Sequence, residues 1–353
     1  MKRVVFFLLA AFALCVFARG AELPDELLEA LPEEAAELTQ DEDMAAGGVE
    51  RLLHGALDAF QSAWREALRG AVLLAMVALL CGAAEGLAST GGETAARFVP
   101  MAGVLAVTTI SAGDLSALIG LGVSAMQELS AFAKLLLPTM AAALAGCGGV
   151  FTASAWQVGT LWAADVLMSV IEGLLLPLTY CHIALASAGA ALPERGLDKL
   201  ADGLKKLISR ALCAVVTLFT LYLSVSNVLT GSADRTAVKA AQAAVSGAVP
   251  VVGGILSDAA EAVLGAAHSL RAAIGAVGVF GVLFLCLTPL VRLGVQFLLY
   301  RAAAFAASVS GVKTVERLLE QLGDAFGLVF GMTAACALLL LASLLVSISM
   351  VVI

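Results

Sequence analysis

From Ala71 onward the chain is a succession of apolar runs, at about 71–88, 98–112, 132–149, 156–190, 208–230, 272–291, 293–310 and 325–353. No other feature limits the fold so strongly. A helix needs about 20 apolar residues to cross the hydrocarbon core of a bilayer. In lipid every backbone N–H and C=O must be bonded within the protein, which leaves helices or closed barrels. The runs lack the alternating period of barrel strands. The fold class is therefore an all-α polytopic membrane protein. It should have six to eight transmembrane or re-entrant helices, since several runs are short for a full crossing, plus amphipathic interfacial helices. Composition agrees: 61% of the 353 residues are hydrophobic and 14% charged. A soluble domain carries about 25% charged residues, so this chain could not cover a water-facing surface.

The first 70 residues differ. Lys2 and Arg3 precede an apolar stretch from Val4 to Phe17, and Ala18-Arg19-Gly20 offers a small-residue cleavage site. This is the layout of a signal peptide, assigned to residues 1–20, with an uncleaved anchor as the alternative. Ten acidic residues and no Lys or Arg lie between Glu22 and Asp43, a composition that reads as a solvated arm. Val49, Leu52, Leu53, Ala56, Phe60, Trp64 and Leu68 then recur at helical spacing. Such a helix can lie in the membrane interface, dock on a partner, or pack on the protein's own outer face. The domain reading is 1–20 signal peptide, 21–69 acidic extracytoplasmic arm with amphipathic helix, and 70–353 multi-helix membrane domain. A basic amphipathic segment at 193–210 is expected as an interfacial helix.

Charges inside the apolar body are the candidates for chemistry or contact, because an isolated mid-bilayer charge costs at least ~2.5–3.5 kcal/mol. Asp165 and Glu172 are seven apart and share a helix face, while Arg292 and Arg301 flank or enter apolar runs. With Asp258 and Glu261 they form the candidate polar lining or partner contact. The plainer reading is a structural ion pair, for example Glu172 with Arg292. Gly82 and Gly86 are four apart, as are Gly323, Gly327 and Gly331. Small-residue faces let helices approach closely in lipid, within one chain or between copies, so a homo-oligomer is one use of them. The segments ending at Pro138 and Pro177 are similar, and so are those starting at Val99 and Val249. Internal repeats with broken helices occur in transporters, and low-complexity sequence also yields such matches.

Several classes are disfavoured. No basic patch with interleaved aromatics supports nucleic-acid binding. No GxxxxGK[ST], HExxH or GxSxG occurs. His54, His182 and His268 are isolated in the sequence, and the seven cysteines form no CxxC pair. They read as small buried hydrophobes. No cofactor, metal or enzymatic activity is expected.

One stretch is more specific than "membrane". Arg235-Thr236-Ala237-Val238-Lys239 is followed by Val249-Pro250-Val251-Val252-Gly253-Gly254 and by a small-residue helix carrying Ser257, Asp258 and Glu261. Pro250 removes a backbone donor and Gly253-Gly254 adds freedom. The expectation is a broken, re-entrant element with a helix beginning near Ser257, or an interfacial loop followed by a surface helix. With the Pro138 and Pro177 segments, the 193–210 segment and the Pro289-containing run, this stretch resembles the stage III sporulation protein AE family. Arg235, Thr236, Lys239, Pro250, Gly253 and Asp258 are the candidate family signature. The family's compact Arg-Thr-Ala-Lys is interrupted here by Val238, which turns Lys239 by about 100° on a helix.

The resemblance implies a non-enzymatic, multi-pass component of a channel complex linking mother cell and forespore. It implies a place in the mother-cell membrane, other stage III sporulation membrane proteins as partners, and a need for the protein in forespore development and late forespore gene expression. The rival reading is an independent secondary transporter with a polar site in its helix bundle.

Overall fold

A computed structural model describes residues 44–88, 93–147, 150–191, 196–248 and 253–349; the side chains of 226–248, 253–264 and a few helix-end residues lie outside the described set. The described residues are helical, with no strand among them. Helix α1 runs Met44–Ala88, α2 Glu93–Gly146, and α3 Val150–Val170. A π-helical turn, Ile171–Leu175, joins α3 to α4, Leu176–Ala191. Then come α5 Leu197–Ala248, α6 Gly253–Ser310 and α7 Lys313–Ser349. Among the described residues, six helical stretches are long and apolar enough to cross a membrane: Gly47–Leu87, Phe98–Gly146, Ala153–Ala191, Leu197–Val225, Ser269–Ser310 and Lys313–Ile348.

The eight apolar runs become six helices because polar residues and prolines between them do not stop the helix. Runs 98–112 and 132–149 lie in one 54-residue helix containing Pro100 and Pro138. Runs 272–291 and 293–310 lie in another, across Pro289 and Arg292. At 1.5 Å per residue, α2 is about 80 Å long, against about 30 Å of hydrocarbon, so much of it must lie outside the lipid core. Residues 197–210 of the basic segment are likewise continuous with the membrane-capable part of α5. Nothing after Arg210 breaks the hydrogen-bond ladder.

Pro177 is the proline that leaves a mark. It lacks the N–H that would bond back to Gly173, and its ring crowds that turn. The chain widens there, and the Leu176 N–H reaches the Ile171 carbonyl, five residues back. Gly311, at φ +84, makes the tight reversal between α6 and α7, a conformation that costs a side-chain-bearing residue.

Helices α6 and α7 form the centre. In its most apolar stretch α6 is 67% buried, against 17% for α1 and for α5. Helix α1 runs parallel to α6: Gly48 meets Phe280 and Gly82 meets Ser310. Helix α2 runs parallel to α7, with Gly103 against Val315 and Gly122 against Val329. On α1 the small residues Ala63 and Ala71 face Val295 and Leu299 of α6. The large ones, Leu53, Leu57, Phe60, Trp64 and Leu68, point away from the bundle. The expected apolar face is therefore split. Val49 and Leu52 join the core, and the rest is presented outward.

The signal-like residues 1–20, the acidic arm to Asp43, and Pro250 lie outside the described residues. Helix α6 begins at Gly253, four residues before the expected Ser257.

Candidate functional site

Charged side chains from three helices converge near the α6–α7 hairpin. Asp324 of α7 is almost buried, and its two carboxylate oxygens are divided between two cations. Arg301 Nη2 of α6 donates to Oδ1 at 2.6 Å, and Lys205 Nζ of α5 reaches Oδ2 at 2.7 Å. Arg301 also lies 3.8 Å from Glu320 and stacks over the Phe297 ring at 5.4 Å. Seven residues before Asp324, Arg317 pairs with Asp198 of α5 at 2.7 Å. A buried carboxylate is tolerable only when paired and hydrogen-bonded, and two cations meet that demand here. The close approach that brings α6 and α7 together comes from glycines. A Cβ at Gly323 would sit 3.3 Å from Tyr300 Cβ, and one at Gly327 3.2 Å from the Phe297 ring. Gly331 faces Leu212 of α5.

His182, fully buried on α4, ties the same region together. Its Nδ1 lies 3.0 Å from the Ala201 carbonyl of α5 and its Nε2 3.1 Å from the Gln321 carbonyl of α7. Both ring nitrogens thus face acceptors. In sequence His182 is a lone histidine; only the crossing of α4, α5 and α7 gives it partners.

A second polar group lies between α2 and α6, under α1. Gln296 Nε2 donates to Asp114 Oδ2 at 3.1 Å. The Tyr300 hydroxyl and the Ser111 hydroxyl are buried in the same place, close to each other and to Gln296, and neither makes a well-formed hydrogen bond. A Cβ on Gly70 of α1 would lie 3.4 Å from the same carboxylate oxygen. Asp114 falls between two of the apolar runs, which is why the sequence does not mark it as intramembrane.

Asp165 and Glu172 do share a face, and it is turned to α2. Lys134 Nζ reaches Asp165 at 3.6 Å and Gln127 Nε2 donates to Glu172 at 3.0 Å. The partners are also seven residues apart, so the two antiparallel helices pair in register. Glu172 is bonded to Gln127, and the buried Arg292 Nε has no hydrogen-bond partner among the described residues. Beside this seam is an apolar cavity lined by Met126, Leu129, Leu167, Phe219, Cys336 and Leu340. Asp258, Glu261, Arg235, Thr236 and Lys239 lie on helical backbone, with side chains outside the described set. Cys147 and Cys286 are buried, whereas Cys181 and Cys213 are exposed on the bundle's outer faces. Small outward residues cost nothing against lipid. Among the described residues no group of three His, Cys, Asp or Glu could hold a metal ion.

The family described as stage III sporulation protein AE matches residues 36–351 of this chain. A curated relative named stage III sporulation protein AE, from Bacillus subtilis (strain 168), is 23% identical over 225 residues, 64% of this chain and 56% of the relative. The chain thus spans just over half the length of that relative. No solved structure matches.

Proposed function

This chain belongs to the stage III sporulation protein AE family, and from that premise we propose that it is a non-enzymatic membrane component of the channel or secretion complex that links mother cell and forespore. Its role is in sporulation, and it is a multi-pass membrane protein. The observation that carries the reading is the extent of the family match, residues 36–351, which takes in the six membrane-capable helical stretches found among the described residues. The chain sits in the mother-cell membrane facing the forespore and assembles there with other stage III sporulation membrane proteins. It supports forespore development and late forespore gene expression. Residues 21–69 face the space between the two membranes, as the signal-like start suggests. Two features fit a subunit of an assembly. The α5–α6–α7 junction is fixed by ion pairs around Asp324, which favours a rigid body. Helix α1 turns Leu53, Leu57, Phe60, Trp64 and Leu68 outward along a helix far longer than a bilayer needs.

The test is deletion of the gene in its native spore-forming host, with complementation by the intact chain. Loss of a late forespore-specific reporter and collapse of the engulfed forespore, both restored by complementation, are expected. Normal spore yield in the deletion strain sinks the reading. Normal spores with a defect in uptake or efflux of a small solute would favour the transporter alternative.

A further inference from the structure

The polar group between α2 and α6 is not used by any role described above. Asp114 lies within the second membrane-capable stretch, Phe98–Gly146, and Gln296 and Tyr300 lie within the fifth, Ser269–Ser310. No Lys or Arg among the described residues pairs with Asp114. The other ionisable group that acts on it is Glu66 of α1, a second carboxylate. Asp324, the one carboxylate that is buried among the described residues, has two cations, whereas Asp114 is half-buried. Asp114 has one neutral donor, the Gln296 amide, on one oxygen. Tyr300 is 1% exposed and Ser111 0% exposed; their hydroxyls lie near each other and near Gln296, and neither makes a well-formed hydrogen bond. Buried hydroxyls without well-formed partners are rare, and leaving them so is costly.

We propose that Ser111, Asp114, Gln296 and Tyr300 form a site for a monovalent alkali cation between α2 and α6. The chemistry of the donors selects the ligand. All are hard oxygens, with no imidazole or thiolate, which suits alkali and alkaline-earth ions rather than transition metals. Among the four donors Asp114 is the one charge, and Glu66 is exposed on α1 outside that set, so the donors match one positive charge and leave half of a divalent ion's charge uncompensated. A proton alone would be held by the carboxyl group and would leave both hydroxyls unsatisfied. The ion would clamp α2 to α6 at the point where α1 crosses them, so its binding would stiffen three helices at once. This inference does not depend on the sporulation complex, and its test needs only the isolated chain.

The full-length chain, purified in choline chloride and reconstituted in lipid nanodiscs, is titrated with radiolabelled sodium at constant ionic strength and constant pH. Competition with potassium sets the selectivity. Saturable binding of about one ion per chain is expected. Asp114→Asn should weaken it at least tenfold, about 1.4 kcal/mol, and Tyr300→Phe and Ser111→Ala should each weaken it severalfold. The Phe and Ala variants remove one oxygen without adding bulk, so they decide the matter if the Asn variant does not fold. Helicity by circular dichroism confirms the fold of each. No saturable sodium or potassium binding by the wild-type chain overturns the proposal. So does unchanged binding in Tyr300→Phe and Ser111→Ala together.

Discussion

Arg301 of α6 and Asp324 of α7 meet at 2.6 Å across the antiparallel hairpin, and the other oxygen of Asp324 is taken by Lys205 of α5. One carboxylate therefore joins three helices. Its location follows from the hairpin. Gly311 reverses the chain, and from there Arg301 and Asp324 lie similar distances along α6 and α7. Gly323 and Gly327 remove the side chains that would hold the two helices apart. The side chains of Arg301 and Lys205 are 39% and 37% exposed while that of Asp324 is 9% exposed. The cations reach water and the anion does not.

That asymmetry sets the cost of losing the anion. Asp324→Ala leaves two cations beside an apolar gap. Losing one partner of a buried pair costs about 3–5 kcal/mol, and solvent access of the two cations brings this to about 2 kcal/mol. In a chain of this size the thermal midpoint in detergent should fall by about 3 °C. Arg317→Ala removes the more exposed pair with Asp198 and should cost less than about 1 kcal/mol. Equal shifts for the two variants would contradict the reading of Asp324 as the interior tie.

Arg271 of α6 is 3% exposed and donates from Nη2 to the Ile348 carbonyl at 2.9 Å. Carbonyls in the last turn of a helix have no partner within it, and a cation there also meets the negative helix end. Arg271→Met should cost about 1–2 kcal/mol and raise amide exchange in the last two turns of α7, with α5 unaffected. Unchanged exchange near Ile348 would remove the capping role.

Much of this architecture is legible in the sequence. The apolar runs give the helical class and the small-residue faces, and the spacing of Asp165 and Glu172 puts them on one face. The joins between runs are not legible. Asp114, Gln127 and Glu128 interrupt the hydropathy of α2 without touching its hydrogen bonds, so one helix reads as two. Asp114 then falls in an apparent loop, and its burial against Gln296 depends on an α2–α6 contact between residues 182 positions apart. His182 is hidden for the same reason, because its partners are backbone carbonyls of two other helices. Pro100, Pro138, Pro177 and Pro289 look alike as breakers. Of these, Pro177 sits beside the π turn, while the others stay inside α-helix.

Cys147 lies just past the end of α2, outside the membrane-capable stretch. Burial pushes its thiol above the ordinary range, and the nearby Arg271 guanidinium draws it back by less. The thiolate is the reactive form, so little of it is present near neutrality. Maleimide labelling of the folded chain in detergent at pH 7.5 should be slower at Cys147 than for glutathione. The rate should keep rising as pH climbs past the ordinary thiol range. Peptide mapping by mass spectrometry reads both, and a rate matching glutathione would show Cys147 to be accessible and unperturbed.

Gly82 and Gly86 are one helical turn apart on α1, and the structure separates their roles. A Cβ on Gly82 would lie 2.8 Å from both the Cβ and the backbone carbonyl oxygen of Ser310, at the end of α6. That carbonyl cannot move without disturbing the α6–α7 turn at Gly311. A Cβ on Gly86 meets nothing within 4 Å. Gly82→Ala should therefore force α1 away from α6 and cost about 1–3 kcal/mol, as overpacking does. Gly86→Ala should be neutral or stabilising by up to about 1 kcal/mol, the difference in helix propensity between the two residues. Thermal unfolding of both variants in detergent gives the comparison. If Gly86→Ala is the more damaging, then Gly86 is the contact residue, through self-association or a partner helix, and the packing of α1 on α6 at Ser310 is not what the glycine pair serves.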